Sequence, residues 1–338
     1  MNINDRINAF VKLGQTLKGL DKSEFDAMVK KANQENGWFT EESILMAFRG
    51  LSVLLEEKSL KAWATSYSLE PAISKTVGVA MAGNIPLVGF HDFLCVLMSG
   101  HNLRYKPSSK DSVILDFVQQ KLIDIEARFR DRINISDYLK GVDAIIATGS
   151  DNTSRYFEFY FRNVPHIIRK NRVSCAVIQG DEPENEIVSL GEDIFSYYGL
   201  GCRNVSSLFV PREMEITSIL DKLNSFEGVM LNHKYANNYT YQRSLAMLNQ
   251  EPHLDNGFLL IKENSSLISP VAVLHYLYYD DLHGLKQSIS IQKDKIQVIV
   301  SAQGWFEGSV PFGVAQIPQV IDYADNVDTM RFLGSLSA

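Results

Sequence analysis

The sequence predicts an α/β protein with parallel sheets, preceded by a helical region. Short continuous apolar runs such as "TVGVAM" (76–81) indicate strands that are buried on both faces. Segments with helical spacing separate these runs, and an alternation of strand, helix and strand is typical of βαβ units. The length of 338 residues suits two domains or one large α/β unit.

Residues 1–74 form the helical region in this prediction. In the stretch "TEESILMAFRGLSVLLEEKSLKAWATSY", Thr40 is suited to the N-cap, and Glu41 and Glu42 follow in the first turn, where the helix dipole favours acids. Apolar residues then recur at helical spacing. We expect two or three helices that pack on the domain that follows.

The first βαβ unit is predicted at 76–107. A strand at 76–81 is followed by the turn "AGNI", and Pro86 suits the first turn of a helix over "PLVGFHDFLCVLMS". "NLRYKP" (102–107) is the second strand. The same pattern predicts helices at 113–129, 136–140 and 186–199, and strands at 143–148, 173–179 and 206–211.

Gly, Pro, Asn and acidic residues cluster at 180–185, which makes this stretch the best candidate for a domain break. The predicted organisation is a helical region at 1–74, two α/β domains at 75–182 and 183–310, and a C-terminal segment at 311–338.

Net charge, apolar stretches and cysteine count narrow the kinds of partner, compartment and metal or disulfide chemistry to expect. The net charge of −7 gives no reason to expect nucleic acid or an anionic membrane as a partner. No secretory signal and no membrane-spanning apolar stretch is present, so the cytoplasm is the default compartment. Three cysteines make no disulfide framework, and their spacing is not that of a metal site.

Ligands bind at the carboxyl ends of parallel strands, and three turns at such positions are candidates for a binding site. They are Gly83-Asn84-Ile85-Pro86, Thr148-Gly149-Ser150 and Gly199–Cys202. A glycine lets the backbone approach a phosphate, but each of these motifs is also compatible with an ordinary turn. The sequence contains neither G-x-G-x-x-G nor the P-loop motif.

The three cysteines differ in their surroundings. Cys95 lies within an apolar helix and Cys175 within a buried strand, so both are interpreted as inert core thiols. Cys202 lies at a loop-to-strand junction beside Arg203, and a nearby cation lowers the pKa of a thiol. Cys202 is therefore a candidate nucleophile. The alternative is that it is only a small apolar residue that fills space in a turn.

Several polar residues have a plain structural interpretation. His91 and Asp92 fit a pair on a helix surface. Lys106, Lys110 and Asp111 fit solvated charges in a loop.

Four segments, taken together and in order, resemble the acyl-CoA reductases of the LuxC type, the fatty-acid reductases of bacterial bioluminescence and their relatives. They are "GNIPLVGFHDFLCVLMSGHNLRYKPSSKDS", "ATGSDNTSRYFEFYF", "LGEDIFSYYGLGCRNVSSLFVP" and "PFGVAQIPQVIDYADNVDTMRFL". The resemblance covers about residues 75–338. This family is similar to the aldehyde dehydrogenase superfamily. The resemblance implies that 75–182 is a variant Rossmann domain that binds a nicotinamide cofactor and that 183–310 is an α/β catalytic domain with the reactive thiol.

The resemblance implies roles for individual residues. Asn84 falls at the oxyanion-binding asparagine and Cys202 at the catalytic nucleophile. Lys106 falls at a lysine that contacts the adenosine ribose of the cofactor. Gly149 and Ser150 match a "TGS" that faces the cofactor phosphates.

Departures from the superfamily pattern are informative. The region in which hydrolytic aldehyde dehydrogenases have a glutamate has the sequence "PHIIRKNRVSC" here, so an acyl-enzyme would be spared from hydrolysis. "SLISP" (266–270) replaces a motif whose glutamate holds the nicotinamide ribose. Ser109, followed by Lys110, stands where a glutamate often binds the ribose 2′-hydroxyl. Loss of an anion and gain of a cation favour NADPH over NADH.

The expected activity is NADPH-dependent reduction of an acyl thioester to an aldehyde through an acyl-cysteine at Cys202. The donor is acyl-CoA or an acyl group on a carrier protein, and a homo-oligomer is expected by resemblance. Two other activities stay open. One is a non-catalytic or acyl-transferring relative that binds the donor without hydride transfer, and the other is a CoA-independent aldehyde dehydrogenase, which the missing base disfavours.

Overall fold

The computed structural model describes residues 1–149 and 151–336, with the backbone alone for Asp151. The chain forms two compact units. The first comprises Met1–Asn171 and Pro318–Ala338, and the second comprises Arg172–Ile317. None of the helices in the described residues combines the length and the apolar character needed to cross a bilayer.

The first unit begins with four helices: α1 (Ile3–Lys18), α2 (Lys22–Glu35), α3 (Glu41–Leu54) and α4 (Glu57–Ala64). The predicted N-cap of α3 is confirmed, because Thr40 Oγ1 accepts a hydrogen bond from the backbone N–H of Ser43 at 3.3 Å. Phe10 of α1 packs edge to face against Phe90 and Phe129, with ring centroids 6.5 and 5.6 Å apart.

The sheet of the first unit has five parallel strands in the order β3-β2-β1-β4-β5. The strands are β1 (Thr76–Ala80), β2 (Asn102–Lys106), β3 (Ile133–Ile135), β4 (Ala144–Thr148) and β5 (His166–Arg169). Helices α5 (Phe90–Met98), α6 (Val113–Ile125) and α7 (Asp151–Phe161) connect them, and a short 3-10 helix spans Ala127–Phe129. The predicted pairing is confirmed, since β1 and β2 are parallel neighbours with Ala80 opposite Lys106.

Two local predictions are wrong in this unit. The helix after β1 begins at Phe90 rather than at Pro86, because Leu87 adopts a left-handed backbone with φ of 60° and ends any regular helix there. Residues 136–140 are not helical, and the alternating segment just before them forms β3. β3 was not predicted because it has only three residues, too few for an alternating pattern to be recognised.

The C-terminal segment returns to the first unit with a 3-10 helix at Ala324–Asn326 and with α12 (Thr329–Ser335). Arg169, at the end of β5, is buried and donates to the Asp92 carboxylate at 2.7 Å, to Thr329 Oγ1 at 2.9 Å and to the Ala324 carbonyl at 2.6 Å. Asp92 is therefore buried in an ion pair, and its interpretation as part of a surface pair is wrong.

The second unit contains a seven-stranded sheet in the order β12-β11-β6-β7-β10-β9-β8, parallel except for the β8–β9 pair. Its strands are β6 (Val173–Val177), β7 (Val205–Pro211), β8 (Leu254–Asp255), β9 (Leu260–Glu263), β10 (Val273–Tyr279), β11 (Ile296–Ser301) and β12 (Val310–Pro311). Its helices are α8 (Glu184–Phe195), α9 (Thr217–Lys222), α10 (His233–Leu248) and α11 (Leu282–Ile291), with 3-10 helices at Ser196–Gly199, Asn224–Leu231, Lys293–Lys295 and Ala302–Gly304.

The division between the units falls between Asn171 and Arg172, ahead of the 180–185 stretch. The reason is strand pairing, because β6 pairs with β7 and β11 of the seven-stranded sheet. β6 therefore belongs to the second unit, because strands of the seven-stranded sheet pair with it on both sides.

Candidate functional site

A cavity of about 1060 Å³ lies at the carboxyl ends of β1, β2 and β4 in the first unit. Open parallel sheets bind their ligands at this edge. Ala80, Lys106 and Thr148, which end β1, β2 and β4, line the cavity together with Ser109, which follows β2. Its polar lining also includes Ser108, Ser112, Asp137, Lys140 and Thr153, and its apolar lining includes Leu139, Phe157 and Phe161. A cavity of this size, with a few polar groups on an apolar wall, has the character of a small-molecule or cofactor site.

Glycines allow the close packing around this edge. A Cβ on Gly149 would lie 2.9 Å from Thr153 Cβ, so only glycine lets β4 pass this closely into α7. A Cβ on Gly83 would lie 2.5 Å from Ser108 Cβ, which couples the turn after β1 to the turn after β2. Both glycines therefore have a packing reason beside the approach to a phosphate that their sequence predicts. Ser150 lies outside the described residues.

The turn that contains Asn84 is fixed by a buried carboxylate. Asn84 follows β1 and is exposed. Three residues on, the backbone N–H of Leu87 donates to Asp111 Oδ2 at 2.7 Å. Asp111 is 4% exposed, so its interpretation as a solvated loop charge is wrong. Burial raises the pKa of Asp111 to about 8, the Leu87 N–H lowers it and the Glu35 carboxylate raises it.

The end of α2 is hydrogen-bonded to residues at the edge of the same cavity. Ser112, a lining residue, donates its hydroxyl to the Glu35 carboxylate at 2.5 Å, and Asn36 Nδ2 donates to the Lys110 carbonyl at 3.3 Å. Lys110 itself is exposed beside Ser109. These contacts could not be predicted from local sequence patterns, because Glu35 and Ser112 are 77 residues apart in the chain.

Cys202 lies in the second unit, in the turn between the 3-10 helix Ser196–Gly199 and β7. Among the cysteines, all of which the structure describes, Cys95 and Cys175 are buried and Cys202 is partly exposed. Burial raises the pKa of Cys175 to about 12 and raises that of Cys95 well above its usual value. The ranking of the cysteines by the sequence therefore agrees with their burial.

One buried asparagine organises the Cys202 turn. Asn204 Oδ1 accepts a hydrogen bond from the Gly201 N–H at 2.8 Å. Its Nδ2 donates to the backbone carbonyls of Asp193 at 3.0 Å and Ser196 at 2.8 Å. Ser174 of β6 donates its hydroxyl to the Cys202 carbonyl at 3.0 Å. The backbone of Cys202 is thus held from the end of α8 and from the neighbouring strand.

The approach to this turn is left-handed. Tyr197, Tyr198 and Gly199 have φ of 50°, 59° and 76° in succession. A non-glycine residue in this region costs on the order of 1–3 kcal/mol, and such conformations are found where the surrounding structure over-determines them. The sharp turn ends α8 and brings Cys202 to the start of β7.

Asp193 of α8 holds residues 313–315 by hydrogen bonds to their backbone, and this segment also contacts the residue after Cys202. It is fully buried and accepts hydrogen bonds from the N–H groups of Gly313 at 2.7 Å and Ala315 at 3.1 Å. Arg203, next to Cys202, donates to the Ala315 carbonyl at 3.3 Å. Burial raises the pKa of Asp193 to about 7, against the lowering by the two N–H groups. Neither Asn204 nor Asp193 was predicted as a site residue, since a polar residue in a turn or on a helix is ordinary.

Solved structures with the same fold are aldehyde dehydrogenases. Aldehyde dehydrogenase 21 from Physcomitrella patens, in complex with the reaction product succinate, has a TM-score of 0.69 and 12% identity, covering 99% of this chain and 84% of that one. NADP-dependent glyceraldehyde-3-phosphate dehydrogenase from Bacillus halodurans C-125, complexed with NADP, has a TM-score of 0.65 and 13% identity over 89% of this chain and 74% of that one. An aldehyde dehydrogenase from Bacillus cereus in its NAD⁺ complex has a TM-score of 0.61 and 14% identity over 89% and 72%.

A scan against protein-family models finds no match, and a search of curated proteins finds none either. The structural likeness therefore shows the fold: an aldehyde-dehydrogenase-like α/β protein with parallel sheets. The fold class predicted from the sequence is confirmed.

Proposed function

We propose that this chain is an NADPH-dependent reductase that converts an acyl thioester, such as an acyl-CoA, to an aldehyde through an acyl-cysteine at Cys202. The proposal rests above all on Cys202, the partly exposed thiol at the start of β7, whose turn is held by Asn204 and Ser174. The aldehyde-dehydrogenase-like fold and the resemblance to LuxC-type reductases support a reaction at the aldehyde level of oxidation.

In the proposed reaction the Cys202 thiolate attacks the thioester carbonyl carbon. The bond between that carbon and the donor sulfur then breaks, and the donor thiolate leaves. Asn84 is the proposed oxyanion donor on the strength of its match to the superfamily alone, since a side-chain amide can donate to a developing oxyanion. When bound, the reduced nicotinamide supplies the hydride that converts the acyl-cysteine to aldehyde. The Cys202 thiolate is released in that step and is ready for the next acyl group.

The cofactor is assigned to the cavity of the first unit. Lys106 and Ser109 line it, Gly149 follows the lining residue Thr148, and Lys110 adds a positive charge beside Ser109. Ser150 is included on the resemblance alone. Because no carboxylate stands at position 109 and a cation follows it, the charges of these two positions favour the 2′-phosphate of NADPH, with NADH as the alternative cofactor.

The test is NADPH absorbance on mixing the purified protein with acyl-CoAs of graded length. Consumption of NADPH with formation of aldehyde is expected, and Cys202→Ala should abolish it. Labelled acyl-CoA should modify Cys202 without NADPH, while the buried Cys95 and Cys175 serve as internal controls that stay unmodified. A covalent adduct that persists in Cys202→Ala would refute the assignment of the nucleophile.

The alternative is a non-catalytic or acyl-transferring relative that binds an acyl donor or a partner protein without hydride transfer. The lack of a glutamate in "SLISP" (266–270) favours it. Acylation of Cys202 without NADPH consumption would identify the acyl-transferring case. Absence of both acylation and cofactor binding would identify the non-catalytic case.

A further inference from the structure

The start of α6 is a potential anion site beside the cofactor cavity. The first N–H groups of a helix point outward and, with the helix dipole, attract negative groups such as phosphates. α6 is a helix of 13 residues whose N-terminal neighbour, Ser112, lines the cavity together with Ser108 and Ser109. A phosphate on the ribose of a bound nucleotide would be drawn to such a position.

A carboxylate of the chain already occupies this helix end. Glu35 Oε1 accepts the Ser112 hydroxyl at 2.5 Å, and Glu35 Oε2 accepts the backbone N–H of Val113 at 3.3 Å. Glu35 is the last residue of α2, so the N-terminal helical region supplies the anion.

The position of Glu35 is fixed by its neighbour. Asn36 is 5% exposed, donates from Nδ2 to the Lys110 carbonyl at 3.3 Å and accepts the Trp38 N–H at 3.2 Å. Residues 35 and 36 together therefore hold the segment that begins α6. The negative charge of Glu35 also acts on Asp111, because it contributes to the raised pKa of that buried carboxyl.

We propose that Glu35 is a specificity-determining residue for the cofactor: its carboxylate disfavours a 2′-phosphate on the adenosine ribose and favours a 2′-hydroxyl, which can donate to it. The inference rests on the proposed cofactor cavity. Glu35 thus opposes Lys110, and the balance between this anion and this cation sets the ratio of NADPH to NADH affinity.

The experiment measures the dissociation constants of NADPH and NADH by cofactor fluorescence, with the full chain and with Glu35→Gln. We expect Glu35→Gln to tighten NADPH binding by about 5- to 20-fold through lost repulsion, and to leave NADH binding unchanged or up to about threefold weaker. Because the effect on NADPH is electrostatic, it should shrink when the salt concentration rises from roughly 50 to roughly 500 mM. Lys110→Ala should weaken NADPH binding alone.

Glu24→Gln is the matched control. Glu24 is also on α2 and also contacts α6, where it forms an ion pair with Lys121 at 2.6 Å, but eight residues further along that helix from Val113. It should change neither dissociation constant. Equal changes in both constants with Glu35→Gln, or none, would overturn the role of Glu35 and leave the cofactor site standing. A wild-type chain that binds neither dinucleotide would refute the proposed function, and the role of Glu35 with it.

Discussion

The side-chain oxygen of Asn204 accepts the backbone N–H of Gly201 at 2.8 Å, and so one amide closes the turn that contains Cys202. The same side chain donates to the carbonyls at the end of α8, where the helix leaves backbone acceptors unsatisfied. The backbone position of Cys202 therefore depends on the side chain of Asn204.

We expect Asn204→Ala to lower the free energy of unfolding by about 2–4 kcal/mol, because a buried amide with several partners is lost and those partners remain buried. Acylation of Cys202 should slow as well. Urea unfolding and the rate of acyl labelling measure the two effects. Asn237→Ala, on the exposed face of α10, is the control and should change stability by less than about 0.5 kcal/mol. Wild-type behaviour of the Asn204 variant would show that the turn forms without it.

Asp193 gives stability a pH dependence of defined sign. Burial raises its pKa to about 7, above the ~3.9 of an unfolded chain, so the folded protein binds more protons between these values. The contribution of this group to stability is fully present below about pH 4 and is lost as pH rises to about 7. Urea unfolding between pH 5 and pH 8 should show this decline, and it should be shallower in Asp193→Asn. An unchanged slope in that variant would mean that Asp193 does not titrate in this range.

Asp111 allows a comparison of two substitutions. With a pKa of about 8 the carboxyl is mostly neutral at pH 6, where Asp111→Asn reproduces its charge and keeps an acceptor for the Leu87 N–H. We expect this variant to lie within about 1 kcal/mol of wild type at pH 6, whereas Asp111→Ala should lose about 1–3 kcal/mol because the Leu87 N–H loses its partner.

The difference between wild type and Asp111→Asn should change with pH. Between about pH 4 and pH 8 the carboxyl is ionised in the unfolded chain but still protonated in the folded one, so wild-type stability falls as pH rises towards 8. The asparagine variant has no group to titrate at this position. Thermal unfolding at pH 6 and pH 9 tests this. Parallel curves for the two proteins at both pH values would contradict the buried, neutral state of Asp111.

Two glycine-to-alanine changes should have opposite signs. The Cβ of Gly149→Ala would lie 2.9 Å from Thr153 Cβ, so α7 must shift, at a cost of about 1–3 kcal/mol and with weaker cofactor binding. Gly50 is inside α3 and has no atom within 4 Å of a new Cβ, so Gly50→Ala should stabilise by up to about 1 kcal/mol. Unfolding midpoints of both variants give the comparison, and destabilisation by both would argue against the packing explanation.

The parts of this fold that depend on local pattern were predictable. The buried positions of "TVGVAM" and "DAIIAT" form continuous apolar runs because both faces of β1 and β4 are buried, and Thr40 caps α3 through its own neighbours. The ranking of Cys202 above the other cysteines followed from its position at a junction.

The parts that depend on distant contacts were not predictable. Pro86 has the right chemistry to start a helix, but Asp111, 24 residues away in sequence from Leu87, holds that loop in another conformation. Asp193 lies on a helix among other acids, and its complete burial arises from a segment about 120 residues further along. Contacts between residues that are far apart in the chain produce no periodic pattern of apolar residues, so the sequence does not indicate them.

The return of residues 318–336 to the first unit has a consequence for biosynthesis. During translation the seven-stranded sheet is complete once Ile317 has emerged from the ribosome, whereas the buried guanidinium of Arg169 must wait for Thr329 and Ala324. An unpaired buried polar group is costly, so the five-stranded sheet cannot reach its final stability until the last helix is made. Domains usually fold as units in order of synthesis, and here the second unit can finish before the first.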